Sequence, residues 1–190
     1  MGCCLSASTT RTVQQQSSRQ LKVVLVGNIN VGKTSLIIRF AQDRFKNEKE
    51  EIENSTVRKT VRSIGGNKAT IDIYDTAGEE KHKMITSSLF RNAAGIILVF
   101  DLKNPDSWEQ IKSTWDEVAF YQTKDIRVNK ILIGNKTDLG KAVDSEVVKA
   151  WAMDVGVEYF ETSAKTGSGV SDAFTKLVSR MVDDNDYSDM

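Results

Sequence analysis

Short apolar runs rich in β-branched residues alternate along this chain with longer stretches in which apolar positions recur every three or four residues. The runs are Lys22-Val23-Val24-Leu25-Val26, Ile71-Asp72-Ile73-Tyr74, Gly95 to Phe100, Lys130-Ile131-Leu132-Ile133 and Glu158-Tyr159-Phe160. The first, third and fourth are almost wholly apolar, as strands buried on both faces of a parallel sheet must be. Helical spacing covers Ser107 to Tyr121, Ser145 to Val155 and Val170 to Met181. Asn104-Pro105-Asp106 makes a favourable helix entry, because the fixed φ of proline suits a first turn. Gly65-Gly66 lies between Thr60 to Ile64 and Lys68 to Tyr74 and has hairpin chemistry, so one antiparallel strand precedes the second parallel one. These patterns predict an α/β domain: a six-stranded, mostly parallel sheet with one antiparallel edge strand and helices on both faces.

The ends of the chain lack this periodicity. Residues 5–20 are mostly Ser, Thr and Gln, and residues 183–190 are acidic, so neither carries enough apolar surface to fold alone. The expected organisation is a flexible arm over 1–19, a folded unit over 20–182 and an acidic disordered tail over 183–190. The 26 basic and 26 acidic side chains cancel, and no local basic patch stands out, which argues against a nucleic-acid partner. The longest apolar run, Ala93 to Phe100, is far short of the ~20 residues needed to span a bilayer. The only two cysteines, Cys3 and Cys4, are adjacent and outside the folded unit, where they cannot staple a core.

Gly27-Asn28-Ile29-Asn30-Val31-Gly32-Lys33-Thr34 follows the first buried strand and leads into a helical pattern, Ser35 to Phe40. It matches G-x-x-x-x-G-K-[ST] in the strand, loop, helix context that a phosphate cradle needs. Backbone amides of the loop, with Asn30, Val31, Gly32, Lys33, Thr34 and Ser35 as its binding residues, would hold phosphates. Lys33 would reach the β- and γ-phosphates, and the Thr34 hydroxyl would ligate Mg²⁺. Asp75-Thr76-Ala77-Gly78 follows the third strand, so Asp75 can orient a water on the metal and the Gly78 amide can meet the γ-phosphate. Asn135-Lys136-Thr137-Asp138 and Glu161-Thr162-Ser163-Ala164-Lys165 each follow a later strand, at the sheet edge where open α/β folds bind ligands. The Asp138 carboxylate can accept two hydrogen bonds from the N1–H and exocyclic amine of guanine, a donor pair that adenine does not offer.

These elements, in this order and spacing, resemble the small Ras-like GTPases, and Ile85 to Asp101 resembles the Rab branch. The resemblance covers roughly residues 20–180 and implies a P-loop NTPase G domain that binds GTP/GDP with Mg²⁺. It also implies that Phe45 packs against guanine, that Lys136 lies along its plane and that the Ala164 amide contacts its carbonyl oxygen. By the same resemblance Asn135, Ser163 and Lys165 would complete the base side, Lys33, Gly78 and Glu79 would form the catalytic set, and Thr34 and Asp75, with Thr56 as the candidate third ligand, would form the metal set.

Three departures bear on turnover. Glu79 stands where the family has a glutamine that orients the attacking water, and a carboxylate there adds an anion to an anionic transition state. Ile29 and Asn30 occupy positions that are small in the family, and a branched Ile29 near the γ-phosphate could hinder water placement and an incoming arginine finger. Slow intrinsic hydrolysis is the expectation. In the first switch, alignment back from Gly65-Gly66 puts Ile52 or Glu53 at the Mg²⁺-ligand position. Thr56, within Ser55-Thr56-Val57, is the candidate if the following strand is shortened. The run Lys46 to Glu51 reads as a solvated, mobile part of this switch.

Met1-Gly2-Cys3-Cys4-Leu5-Ser6 fits the signal for N-myristoylation of Gly2, with Cys3 and Cys4 as palmitoylation sites. Two acyl chains anchor stably where one does not. The chain ends Asp189-Met190, so the prenyl anchor usual in Rab proteins has no cysteine, and the N-terminus resembles that of N-acylated plant Rab-like proteins.

The leading reading is thus a membrane-anchored GTPase switch for vesicle traffic, peripheral on the cytoplasmic face of an endomembrane or the plasma membrane. Effectors, exchange factors and activating proteins would bind residues 46–57 and 76–92. The alternative from another class is a GTP-binding interaction module with negligible hydrolysis. A P-loop nucleotide kinase is disfavoured, because Asn135 to Asp138 has no role there. His82, the lone histidine, reads as a surface residue or partner contact.

Overall fold

The computed structural model describes residues 19–45, 57–64, 67–75, 90–121 and 128–186. In chain order the elements are β1 (Arg19–Val26), α1 (Lys33–Gln42), β2 (Val57–Ile64), β3 (Asn67–Asp75), β4 (Gly95–Asp101), α2 (Pro105–Tyr121), β5 (Asn129–Asn135), α3 (Ser145–Asp154), β6 (Glu158–Glu161) and α4 (Val170–Asp186). A single 3-10 turn, Thr137–Leu139, follows β5.

The strands form one six-stranded sheet in the order β2-β3-β1-β4-β5-β6. Five of them run parallel, with β1 between β3 and β4, and β2 pairs antiparallel with β3 at the edge. The β2–β3 register closes at Ile64 opposite Asn67, on either side of Gly65-Gly66, which itself lies outside the described residues.

Alternation along β1 explains how the two faces are covered. Leu21, Val23 and Leu25 point to one side and join Ile71, Ile73, Ile97, Val99, Ile131 and Ile133 under α1 and α4. Val24 and Val26 point to the other and join Ile96, Leu98, Phe100 and Leu132 under α2 and α3. Side chains that alternate across a strand require this split. Phe40 of α1 stacks on Phe174 of α4, ring centroids 4.4 Å apart. On the far face Trp108 and Trp151 meet edge to face at 5.1 Å and join α2 to α3. Each fully buried aliphatic or phenyl side chain contributes ~1.5–3 kcal/mol from removal of apolar surface from water, so the central strands are the rigid floor on which the loops stand.

Two boundaries differ from the sequence reading. The acidic tail was expected to begin at residue 183, yet α4 continues to Asp186. Val182 is still buried in the core, and the Asp184 carboxylate accepts a 2.9 Å hydrogen bond from the Asn129 side chain at the start of β5. Packing on one side and a specific polar contact on the other outweigh the unfavourable position of carboxylates at a helix C-terminus. At the opposite end β1 starts at Arg19, one residue inside the expected arm. Among the described residues no helix is long and apolar enough to cross a membrane.

Candidate functional site

The carboxyl ends of β1, β3, β4, β5 and β6 all lie at one edge of the sheet, and the strand order reverses about β1. The loop after β1 is pressed against its neighbours. A Cβ on Gly27 would lie 2.1 Å from the Val99 carbonyl oxygen, and one on Gly32 would lie 2.4 Å from Asn135 Nδ2. Gly32 is also left-handed, with φ 97°, so glycine is required there on both counts. Asn30 is left-handed too, with φ 62°. Asparagine tolerates that conformation better than most residues, which makes its presence at a position where the family often has glycine conformationally inexpensive.

Gly32 caps α1 with no side-chain hydrogen bond, and the first turn of α1 contains no acidic residue. The leading amides and the positive end of the helix dipole therefore face the loop without a resident carboxylate in that turn. Lys33, though 4% exposed, carries its ammonium back over the loop to the Gly27 carbonyl and, at 3.0 Å, the Asn28 carbonyl. The Thr34 hydroxyl donates to the Asp75 carboxylate, which is buried at the end of β3. A glycine-tight loop, a buried ammonium and a hydroxyl–carboxylate pair of hard oxygen donors fit a nucleotide phosphate with Mg²⁺. Ile29, in the same loop, is 53% exposed.

The ends of β5 and β6 are organised around one residue. Asn135, 1% exposed at the end of β5, donates from Nδ2 to the Val31 carbonyl at 2.9 Å. Its Oδ1 accepts from the Thr162 hydroxyl at 3.1 Å and from the Ala164 amide at 3.2 Å. A single amide thereby joins the phosphate loop to the segment after β6. The Ala164 amide, expected from the resemblance to meet the guanine carbonyl, is engaged by Asn135 here.

Asp138 sits in the 3-10 turn with its side chain 14% exposed. One carboxylate oxygen accepts from the Ser163 hydroxyl at 2.6 Å, and the other lies 4.0 Å from Lys165 Nζ. Lys136 is left-handed, with φ 69°; its Nζ pairs with Asp101 Oδ2 at 2.8 Å, and its Cε lies 4.0 Å from where a Gly32 Cβ would stand. The lysine stem thus runs beside the phosphate loop. Phe45 is 37% exposed beyond the end of α1, outside the core.

The structure therefore brings together Asn30 to Ser35, Asp75, Asn135, Lys136, Asp138 and Ser163 to Lys165. Thr56, Gly78, Glu79 and His82 lie outside the described residues, as do Gly2, Cys3, Cys4 and most of 46–57 and 76–92. Sequence reasoning missed Asp101 and the pairing role of Thr162. Asp101 is the residue immediately after the predicted strand Gly95 to Phe100, so the rule that ligand-facing groups follow strand ends could have found it.

Below this edge, Glu161 of β6 accepts from the Ser145 hydroxyl at 2.6 Å and the Tyr159 hydroxyl at 3.2 Å, and pairs with Lys141 at 2.5 Å. Burial raises the Glu161 carboxyl, but the hydrogen bonds from Lys141 and Ser145 more than offset that and leave it below its ordinary value. Burial, and then the Glu161 charge, push the Tyr159 phenol well above its ordinary range.

A protein-family model for the Ras family matches residues 22–183. The GTP-binding protein YPTM1 of Zea mays is 37% identical over 158 residues, covering 82% of this chain and 75% of the relative. The Ras-related protein Rab-1D of Dictyostelium discoideum is also 37% identical over 158 residues, with 82% and 76% covered. The Ras-related protein Rab-13 of Bos taurus gives the same identity over 158 residues, with 82% and 77% covered. Matched through nearly its whole folded length, the chain belongs to the Ras family, in its Rab branch, as a small GTPase that binds GTP and GDP with Mg²⁺ and hydrolyses GTP.

Proposed function

We propose that this GTPase is a membrane-anchored switch in vesicle traffic whose intrinsic turnover is slow. The observation that carries the site assignment is the buried Asn135 amide, which couples the phosphate loop at Val31 to the base segment at Thr162 and Ala164. In this reading the amides of Asn30 to Ser35 bind the phosphates and Lys33 lays its ammonium along them. Asp138 reads the guanine edge while Ser163 holds the carboxylate in place and Lys165 flanks it. Phe45 and Lys136 cover the two faces of the base, and the Ala164 amide would turn from Asn135 to its carbonyl oxygen when the base is bound. Thr34 and Asp75, with Thr56 from the first switch, would hold Mg²⁺, which when bound neutralises charge on the β- and γ-phosphates.

Hydrolysis in this reading falls to Lys33, Gly78 and Glu79. Gly78 would hold the γ-phosphate through its amide, and Glu79 would face the attacking water. The Glu79 carboxylate can take a proton from that water but repels the negative charge that builds on the phosphoryl oxygens. In this reading the branched Ile29, in the same loop, adds to the slowing by hindering water placement and an incoming arginine finger. The triphosphate state then persists until an activating protein acts through 46–57 and 76–92, the same segments that present the ordered switch to effectors and exchange factors. Gly2, Cys3 and Cys4 would carry the acyl chains that hold the protein on an endomembrane or the plasma membrane.

Single-turnover hydrolysis tests the slow-switch reading. The full chain is loaded with GTP and compared with Glu79→Gln at one magnesium concentration. Faster turnover in the substituted protein is expected, and equal rates would contradict the assignment of Glu79. Anchoring is tested on N-myristoylated, palmitoylated protein with lipid vesicles. Gly2→Ala should abolish co-sedimentation, and the double change Cys3→Ser, Cys4→Ser should reduce it to the marginal binding of one chain. Full binding by both variants would refute the anchor.

A further inference from the structure

The last turn of α1 carries an arginine that none of the chemistry above uses. Arg39 is six residues beyond Lys33, so about 9 Å further along the helix axis from the phosphate end. Its side chain is only 15% exposed. Nε donates to the Ala164 carbonyl at 2.9 Å and Nη2 to the Lys165 carbonyl at 2.7 Å. Nη1 donates to the Asp43 carbonyl at 3.0 Å. Asp43 ends α1 in a left-handed conformation, φ 50°, two positions before Phe45.

One planar fork therefore grips two pieces of chain: the end of its own helix at Asp43, and a loop 125 residues away in sequence. A solvated surface arginine would gain little from such contacts, but this one is mostly enclosed and its donors are rigidly spaced. Charge-assisted bonds to carbonyls are shorter and stronger than neutral ones, and a cation at the C-terminal turn of a helix is further favoured by the dipole. The gripped loop is the one whose Ser163 hydroxyl holds the Asp138 carboxylate and whose Ala164 amide lies at the base side.

We infer that Arg39 is a positioning residue for guanine recognition. It fixes the 163–165 loop to the helix that begins with Lys33 and Thr34, so the phosphate end and the base end of the site keep one spacing. The inference rests on the base-site assignment proposed above. Loss of the grip leaves the phosphate loop intact and loosens the carbonyls of Ala164 and Lys165, and through Ser163 it loosens Asp138. Discrimination at the base should then suffer before phosphate binding does.

The test uses the full chain with Mg²⁺ and compares dissociation rates and affinities for GDP and inosine diphosphate, whose base lacks the 2-amino group that Asp138 would read. Wild type should prefer GDP; if it does not, the base-site assignment fails and the inference falls with it. Arg39→Ala should release GDP roughly tenfold faster, the scale of two charge-assisted hydrogen bonds partly replaced by water. It should also lose much of the preference for GDP over inosine diphosphate. Arg39→Lys keeps the charge but not the fork, and serves if the alanine variant does not fold; its GDP release should lie between the two. A wild-type release rate in either variant overturns the proposal. So does an equal fractional loss of affinity for both nucleotides, which is what general loosening of the fold would produce.

Discussion

Replacement of Asn135 by alanine is the most informative single perturbation of the proposed base side. The side chain is 1% exposed and makes three hydrogen bonds, to Val31, Thr162 and Ala164, at 2.9, 3.1 and 3.2 Å. A net value of about 1 kcal/mol for each gives about 3 kcal/mol, and a partner left buried and unpaired adds roughly 1 kcal/mol or more. About 4 kcal/mol is a large part of the ~5–15 kcal/mol that holds a domain folded. Urea unfolding at saturating GDP, with an unchanged slope, measures the loss, because nucleotide bound to the folded state adds its own stabilisation and its weakening is registered in the same experiment. Thr162→Val removes one of the three bonds and should cost about 1 kcal/mol. Asn135→Asp should be worse than alanine, since it turns the donor toward the Val31 carbonyl into a second acceptor carrying charge. A loss below about 1 kcal/mol in Asn135→Ala, or no difference from Thr162→Val, would refute the idea that this amide joins the two halves of the site.

Two further outcomes follow from other parts of the structure. Gly32→Ala puts a Cβ 2.4 Å from Asn135 Nδ2 in a left-handed residue, and is expected to abolish binding of labelled GDP; retained binding would mean that the loop shifts freely. For Tyr159 the folded pKa lies above the unfolded value near 10.0, because burial and then Glu161 disfavour the phenolate, so its contribution to stability is intact below that pH and is lost as pH rises above it. Thermal unfolding followed across that range should therefore fall less steeply for Tyr159→Phe than for wild type, and parallel curves would remove Tyr159 as a cause.

The elements most legible from sequence were those whose burial leaves no choice of composition. Gly95 to Phe100 reads as a central strand because both of its faces are covered, and the structure places six of its residues out of solvent. The tight turn of the loop after β1 was legible because its glycines answer to two hard constraints, a left-handed φ at Gly32 and a neighbour too close for any Cβ. Features that depend on long-range contacts were not. Arg39 looks like any polar residue on an amphipathic helix, and its contacts with the Ala164 and Lys165 carbonyls come from a loop more than a hundred residues later. The extension of α4 into Asp183 to Asp186 runs against the local charge pattern and is fixed by Asn129, on a strand 55 residues from Asp184. Lys136 was legible as part of a motif, but its pairing with Asp101 required the register of β4 against β5, which sets Asp101 opposite Asn135.

The central claim is that the Asp138 carboxylate, held by Ser163 beside Lys165, reads the guanine base. It is tested most directly by Asp138→Asn with competition between GDP and xanthosine diphosphate for the full chain in Mg²⁺. Asparagine offers a donor where xanthine carries a second carbonyl, and an acceptor where guanine presents two donors. The account predicts that the variant loses GDP binding by an order of magnitude or more, as expected for a charge-assisted bidentate contact, and gains xanthosine diphosphate. Unchanged preference for GDP in a folded variant would contradict it.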